Sequence, residues 1–188
     1  MNPIGLLISF SPWILFGILA GHNLIELETA LLISLILSVL VGFKDLKAKM
    51  ILPWVTLLFF FGAIILILGL KLYGFIPYLG MASNGTLTLV TFVSLLVGVP
   101  FTIQYARKEV PRERWDNQEF FRINQMLTGF WGLLFLINLS KSVYEFYYPG
   151  TLGFVGNALL WVNIVIGIVI TKKYPAYARR RMKQTVNP

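Results

Sequence analysis

The chain has 188 residues, 57% of them hydrophobic and 13% charged, with a mean hydropathy of +0.75. Soluble domains carry about 25% charged residues, so this balance excludes one and predicts an all-α, polytopic transmembrane helical bundle forming a single domain over residues 1–188. The net charge of +8 does not argue for nucleic acid, because the basic residues gather between and after apolar runs, where they meet anionic lipid. The lack of cysteine excludes disulfides, thiolate catalysis and iron-sulfur clusters.

Six spans are expected, at about 3–21, 27–43, 50–70, 87–103, 122–143 and 152–170, followed by a basic tail, 171–188. The first has no basic segment before it and is expected to stay as a helix, kinked at Pro12. Its turn to the second span holds His22, Glu26 and Glu28. That cluster falls short of a recognisable metal site in ligand count and spacing, and reads as a polar hairpin turn. Ser34 and Ser38 stand one turn apart on the second span and predict a face that meets protein. The third span has Pro53 near its start and Trp54 at interface depth. The segment KLYGFIPYLGMASNGT then reads as an interfacial loop, and the fourth span is expected to end near Pro100.

The loop that follows is the only long, charge-dense segment between two apolar runs, carrying Arg107, Lys108, Arg112, Arg114 and Trp115 among others. Pro111 prevents one continuous helix there, so Arg112–Trp115 is expected to lie as a short segment at the interface. With six spans, 14 Lys and Arg fall on one side and only Lys71 and Lys141 on the other. Both termini are therefore expected in the cytoplasm.

The fifth span is the most informative. Asn124, Thr128, Trp131, Phe135, Asn138, Ser142 and Glu145 follow one another at steps of three and four and share one helical face. Such a stripe cannot face lipid, where unsatisfied polar groups cost several kcal/mol, so it is expected to face the bundle or a cavity. Asn157 and Trp161, four apart on the sixth span, are its expected partners, and Lys141 and Glu145 are expected to pair. No nucleotide loop, acidic metal motif or Ser/His/Asp grouping is visible, so no catalytic, cofactor-binding or metal-ligating residue is assigned, and an enzyme is the weaker class.

These residues resemble the intracellular septation protein A family, small multi-pass proteins of the bacterial inner membrane. The likeness runs through ETALLISLILSVL, FKDLKAKM and ILPWVTLL, resumes at VPFTIQYARKEVP, and is best in EFFRINQMLTGFWGLLFLIN, with Asn124 and Asn138 at the family's spacing. The chain departs from the family at Phe120, where a tryptophan is usual. The resemblance implies a bacterial inner-membrane location and a non-enzymatic role in septation or envelope maintenance. The implied partners are membrane lipids, other integral membrane proteins and a second copy of the chain. The alternative is a small-solute or ion transporter with a polar path along the fifth and sixth spans. What separates the two is whether the stripe borders a cavity or is consumed by its neighbours.

Overall fold

The computed structural model describes the backbone of residues 3–21 and 23–186, and the side chains of all of these but Pro3, Asn157 and 182–186. The described residues contain seven α-helices and no strand: α1 (Pro3–Leu19), α2 (Leu24–Lys47), α3 (Ile51–Ile64), α4 (Leu79–Leu96), α5 (Phe101–Ala106), α6 (Gln118–Tyr147) and α7 (Gly153–Val186). A π turn, Ile65–Gly69, extends α3, and a 3-10 stretch, Tyr73–Tyr78, leads into α4. Five helical runs are long and apolar enough to cross a membrane: Leu24–Lys47, Ile51–Gly69, Tyr73–Leu96, Gln118–Tyr147 and Gly153–Arg181. The sixth apolar helix, α1, is shorter at 17 residues.

The bundle is apolar on its outside as well as in its core, and part of its polar complement is buried. Ser34, Ser38, Thr56, Thr91, Ser94, Thr102 and Thr128 are buried, whereas Ile25, Leu40, Leu96 and Phe154 stand exposed. A surface of this kind matches lipid, since large contiguous apolar surface is not tolerated in water. The burial of Ser34 and Ser38 agrees with the expected protein-facing side of the second span. The main core joins Phe10, Trp13 and Phe16 of α1 to Phe60 of α3, Phe101 of α5, and Trp131 and Phe135 of α6.

The fourth span differs most from expectation. The helix begins at Leu79, inside the segment expected to be a loop, and stops at Leu96 instead of Ile103. Its end is a Schellman motif, in which Gly98 N–H donates to Leu95 O at 3.1 Å and Val99 N–H to Ser94 O at 2.9 Å. Gly98 adopts the left-handed conformation this needs, at φ 74°. Pro100 then blocks continuation, and α5 starts as a separate short helix. The early start follows from how a water-free bundle interior treats polar side chains. Ser83, Thr86, Thr88, Thr91 and Ser94 each donate to a carbonyl three or four residues back in α4, at 2.7–3.0 Å. Their hydroxyls are thereby satisfied within the helix.

Three other bounds also move. The second span extends through the basic turn to Lys47, the fifth covers 118–147, and the sixth runs on through the basic tail as one helix to Val186. Pro12 lies inside an unbroken α1. Side chains tie the helix ends together on the side where α2, α3 and α5 meet. Ile51 N–H at the start of α3 donates to Gln104 Oε1 at 2.9 Å, and Lys108 pairs with Asp45.

Candidate functional site

Helix α6 packs most extensively on α4 and next on α7. Close approach to α4 depends on Gly132, where a Cβ would stand 2.8 Å from the Thr91 methyl. Close approach to α7 depends on Gly167, where a Cβ would stand 2.5–2.9 Å from the Trp131 ring. The stripe does lie inside the bundle: Asn124, Thr128, Trp131, Phe135 and Asn138 are buried, and Ser142 and Glu145 half-buried.

The two halves of the stripe have different surroundings. In the N-terminal half, the Thr128 and Thr102 hydroxyls share a hydrogen bond of 2.8 Å, and Thr102 Oγ1 donates to Asn124 O at 2.9 Å. Trp131 Nε1 donates to Thr171 Oγ1 at 3.0 Å. Asn124 Nδ2 donates to Phe120 O at 2.8 Å, while its Oδ1 is buried without a partner.

The C-terminal half borders a cavity of about 580 Å³ between α1, α4, α6 and α7. Its apolar wall combines the aromatic rings of Phe10, Trp13, Phe16, Trp131 and Phe135 with aliphatic side chains such as Leu87, Leu160 and Ile164. Trp13 Nε1 donates to Thr56 at 2.8 Å, so both tryptophan N–H groups are engaged with threonines and the indoles offer apolar surface. The space exists because Gly17, Ala20, Gly80 and Ser83 on the facing helices are small. Polar groups gather at one end. Lys141 Nζ and Glu145 Oε2 pair at 2.8 Å, and Asn84 Nδ2 donates to Ser142 Oγ at 2.9 Å. Asn138 Oδ1 accepts from Asn163 Nδ2 at 2.8 Å. The arrangement presents an apolar aromatic chamber and a zwitterionic, hydrogen-bonding mouth.

The expected Lys141–Glu145 pair is present, but of the two expected α7 partners Trp161 is not among those found. Trp161 faces outward, 46% exposed, and the Asn157 side chain lies outside the described residues. Among the described residues the partners are Asn163 and Thr171, which with Gly167 between them form a face of small and polar residues at steps of four. That spacing is the signal in the sequence that marks α7's packed side. Asn84 was likewise hidden in the segment expected to be a loop.

The remaining candidates are placed as follows. His22 lies outside the described residues. Asn23 caps α2 by accepting Glu26 N–H at 2.8 Å, and the Glu26 side chain lies against Gly21, so these residues serve the hairpin turn. Glu28 is half-buried, and no group of three metal-ligating side chains occurs among the described residues. In the charged loop, Arg112–Arg114 forms a 3-10 turn after Pro111, as expected of a break there. Trp115 is half-buried, donates to Val110 O at 3.3 Å, and carries Arg107 and Arg112 over its ring at 5.0 and 5.7 Å. Close by on α5, burial pushes the Tyr105 phenol well above its usual range, so it stays protonated. No family model matches the chain, and no curated protein or solved structure does either.

Proposed function

We propose that the chain is a six-span protein of the bacterial inner membrane, α1 included, with both termini cytoplasmic. In this reading it binds and moves a small amphipathic solute through the cavity between α1, α4, α6 and α7. The observation that carries this is the union of aromatic chamber and polar mouth in one space of about 580 Å³, within the roughly 300–1,000 Å³ of ligand pockets. The solute's apolar part would lie on Phe10, Trp131 and Phe135, and its polar head on Lys141, Glu145 and Asn84. Orientation rests on the 14-to-2 division of Lys and Arg, which sets Lys141 and the mouth on the non-cytoplasmic side.

A second reading follows the resemblance to the septation family, in which the protein acts by contacts with other membrane proteins. It is favoured by α7, the least buried of the five long spans at 18%, whose outward face carries Phe154, Val155 and Trp161.

The natural lack of cysteine makes the first reading directly testable. Single cysteines from Ser83→Cys and Ser142→Cys should react with a membrane-impermeant maleimide applied to intact cells, while Thr128→Cys should not. Native mass spectrometry of the purified protein should show a retained amphiphile that Gly80→Phe displaces from the mouth. Unreactive mouth cysteines and an empty wild-type protein would refute it. Reporter fusions at Lys47, Trp115 and the C-terminus should report cytoplasm, and those at Lys71 and Gly150 the opposite side.

A further inference from the structure

The chamber between α1, α4, α6 and α7 is long for its volume. Its wall takes in α1 from Leu7 to Ala20 and α6 from Trp131 to Phe146, which at about 1.5 Å per residue is roughly 20 Å along the bundle axis. Cross-contacts fix how these stretches lie. The Phe10 and Trp131 rings, 5.0 Å apart, stand toward one end, and Gly80, where a Cβ would lie 3.9 Å from Ser142 Oγ, stands toward the other. A volume of about 580 Å³ spread over that length leaves a mean cross-section of about 30 Å². The space is therefore a slot, wide enough for one extended alkyl chain in contact with its walls. Carbon–carbon bonds of about 1.5 Å advance a zigzag chain by about 1.25 Å each, so roughly sixteen carbons fill the length. At the Phe10 end Trp131 is buried and its Nε1 is bonded to Thr171, so the chain's terminal methyl meets ring surface.

The charges at the other end set the head. Lys141 Nζ and Glu145 Oε2 pair at 2.8 Å on side chains that stay 20% and 33% exposed, and both line the chamber. The pair is seated against α7, where a Cβ on Gly156 would stand 2.9 Å from Lys141 Cε and 3.5 Å from Glu145 Oε1. A partly exposed i,i+4 pair contributes little by itself, so both charges stay available to a ligand. An anionic head would be attracted by Lys141 and repelled by Glu145, and a cationic head the reverse. A head with both signs gives each side chain a counter-charge: phosphate oxygens accept from Lys141 Nζ, and an ammonium group donates to Glu145.

We infer that the chamber holds a single-chain zwitterionic lipid, with one long alkyl chain in the slot and a phosphate–ammonium head on Lys141 and Glu145. The inference rests on the reading of this chamber as the binding site and adds the class of ligand. A lysophosphatidylethanolamine has this chemistry.

Bromine quenching of tryptophan tests it in the full-length protein, placed in nanodiscs of diacyl phosphatidylcholine. Replacing Trp54, Trp115 and Trp161 with Phe leaves Trp13 and Trp131, which are buried and line the chamber. Hexadecanoyl lysophosphatidylethanolamine brominated at the end of its chain should quench them saturably. The octanoyl form leaves the deep end of the slot without contacts and should need about tenfold more. The free brominated fatty acid, an anion alone, should also need about tenfold more. Lys141→Gln and Glu145→Gln should each weaken the hexadecanoyl probe about tenfold, whereas Lys71→Gln, outside the wall, should not. Thermal shift of the unsubstituted chain should rank the unbrominated lipids in the same order. The inference is overturned if the fatty acid or the octanoyl form matches the hexadecanoyl lipid, or if brominated diacyl phosphatidylcholine quenches as strongly at the same mole fraction. It is overturned too if either glutamine variant binds the probe unchanged, or if no lipid of the set quenches. In that last case an amphiphile still retained by the wild type and displaced by Gly80→Phe keeps the chamber as a binding site, and an empty protein overturns both readings.

Discussion

The two halves of α6 carry the same periodicity of polar residues and do different work. From Asn124 to Trp131 the stripe meets Thr102 of α5 and Thr171 of α7, and its hydroxyls and indole are taken up by those neighbours. From Phe135 to Glu145 it looks onto a chamber, which the Trp131 ring also walls, because α1 and α4 present Gly17, Ala20, Gly80 and Ser83 there. A helical stripe therefore says which way a helix turns its face, while the size of the side chains opposite decides whether that face becomes glue or a lining.

The sharpest challenge to this contrast is Gly167→Ala, at the point where the packed half ends. Its new methyl would stand within 2.9 Å of three atoms of the buried Trp131 ring. Overpacking of this kind costs about 1–3 kcal/mol, so thermal stability in detergent should fall more than for any change at the mouth. An unaltered melting temperature would mean that α6 and α7 are not locked at Trp131.

Asn138 stands on the boundary, both lining the cavity and bonded to Asn163. Asn138→Leu should lower stability by about 1 kcal/mol, because it leaves Asn163 buried without its partner. The double variant Asn138→Leu with Asn163→Leu should recover most of that loss. If the double variant is as unstable as the sum of the singles, the pair is not a structural contact.

The smallest effect on stability is expected at the mouth. Lys141→Gln removes a half-exposed i,i+4 ion pair, worth about 0.5 kcal/mol or less, and should leave the melting temperature within error while weakening retention of a bound amphiphile. Stability loss as large as that of Gly167→Ala would erase the distinction between lining and glue.

How far these features could be read in the amino-acid order follows from the same physics. The stripe was legible because steps of three and four stay on one face of any helix, whatever its neighbours. The start of α4 was not, because Gly80, Ser83, Asn84 and Gly85 resemble a loop by composition. Within the helix Ser83 and Thr86 turn back on their own carbonyls, and only against α6 do Gly80 and Gly85 gain their purpose. The end of α4 was legible to within a few residues in Pro100, and the left-handed turn at Gly98 sets it at Leu96. On α7, Asn157 and Trp161 have the polar and aromatic character expected of partners. The helix nevertheless turns Asn163, Gly167 and Thr171 inward, because the Trp131 ring needs a residue without a side chain beneath it.

The shortness of α1 bears on the membrane itself. Seventeen helical residues reach roughly 26 Å at about 1.5 Å each, a few Å less than a hydrocarbon layer of about 30 Å. The thirty residues of α6 reach roughly 45 Å by the same measure. With α1 as the sixth span of the proposed topology, a bilayer wetting both helices must thin on the α1 flank or tilt the protein. Since α1 forms one wall of the chamber, such thinning draws the headgroup layer down toward Lys141 and Glu145. In the proposed reading, the elastic strain of the surrounding lipid then becomes a variable that sets how readily an amphiphile passes between bilayer and chamber.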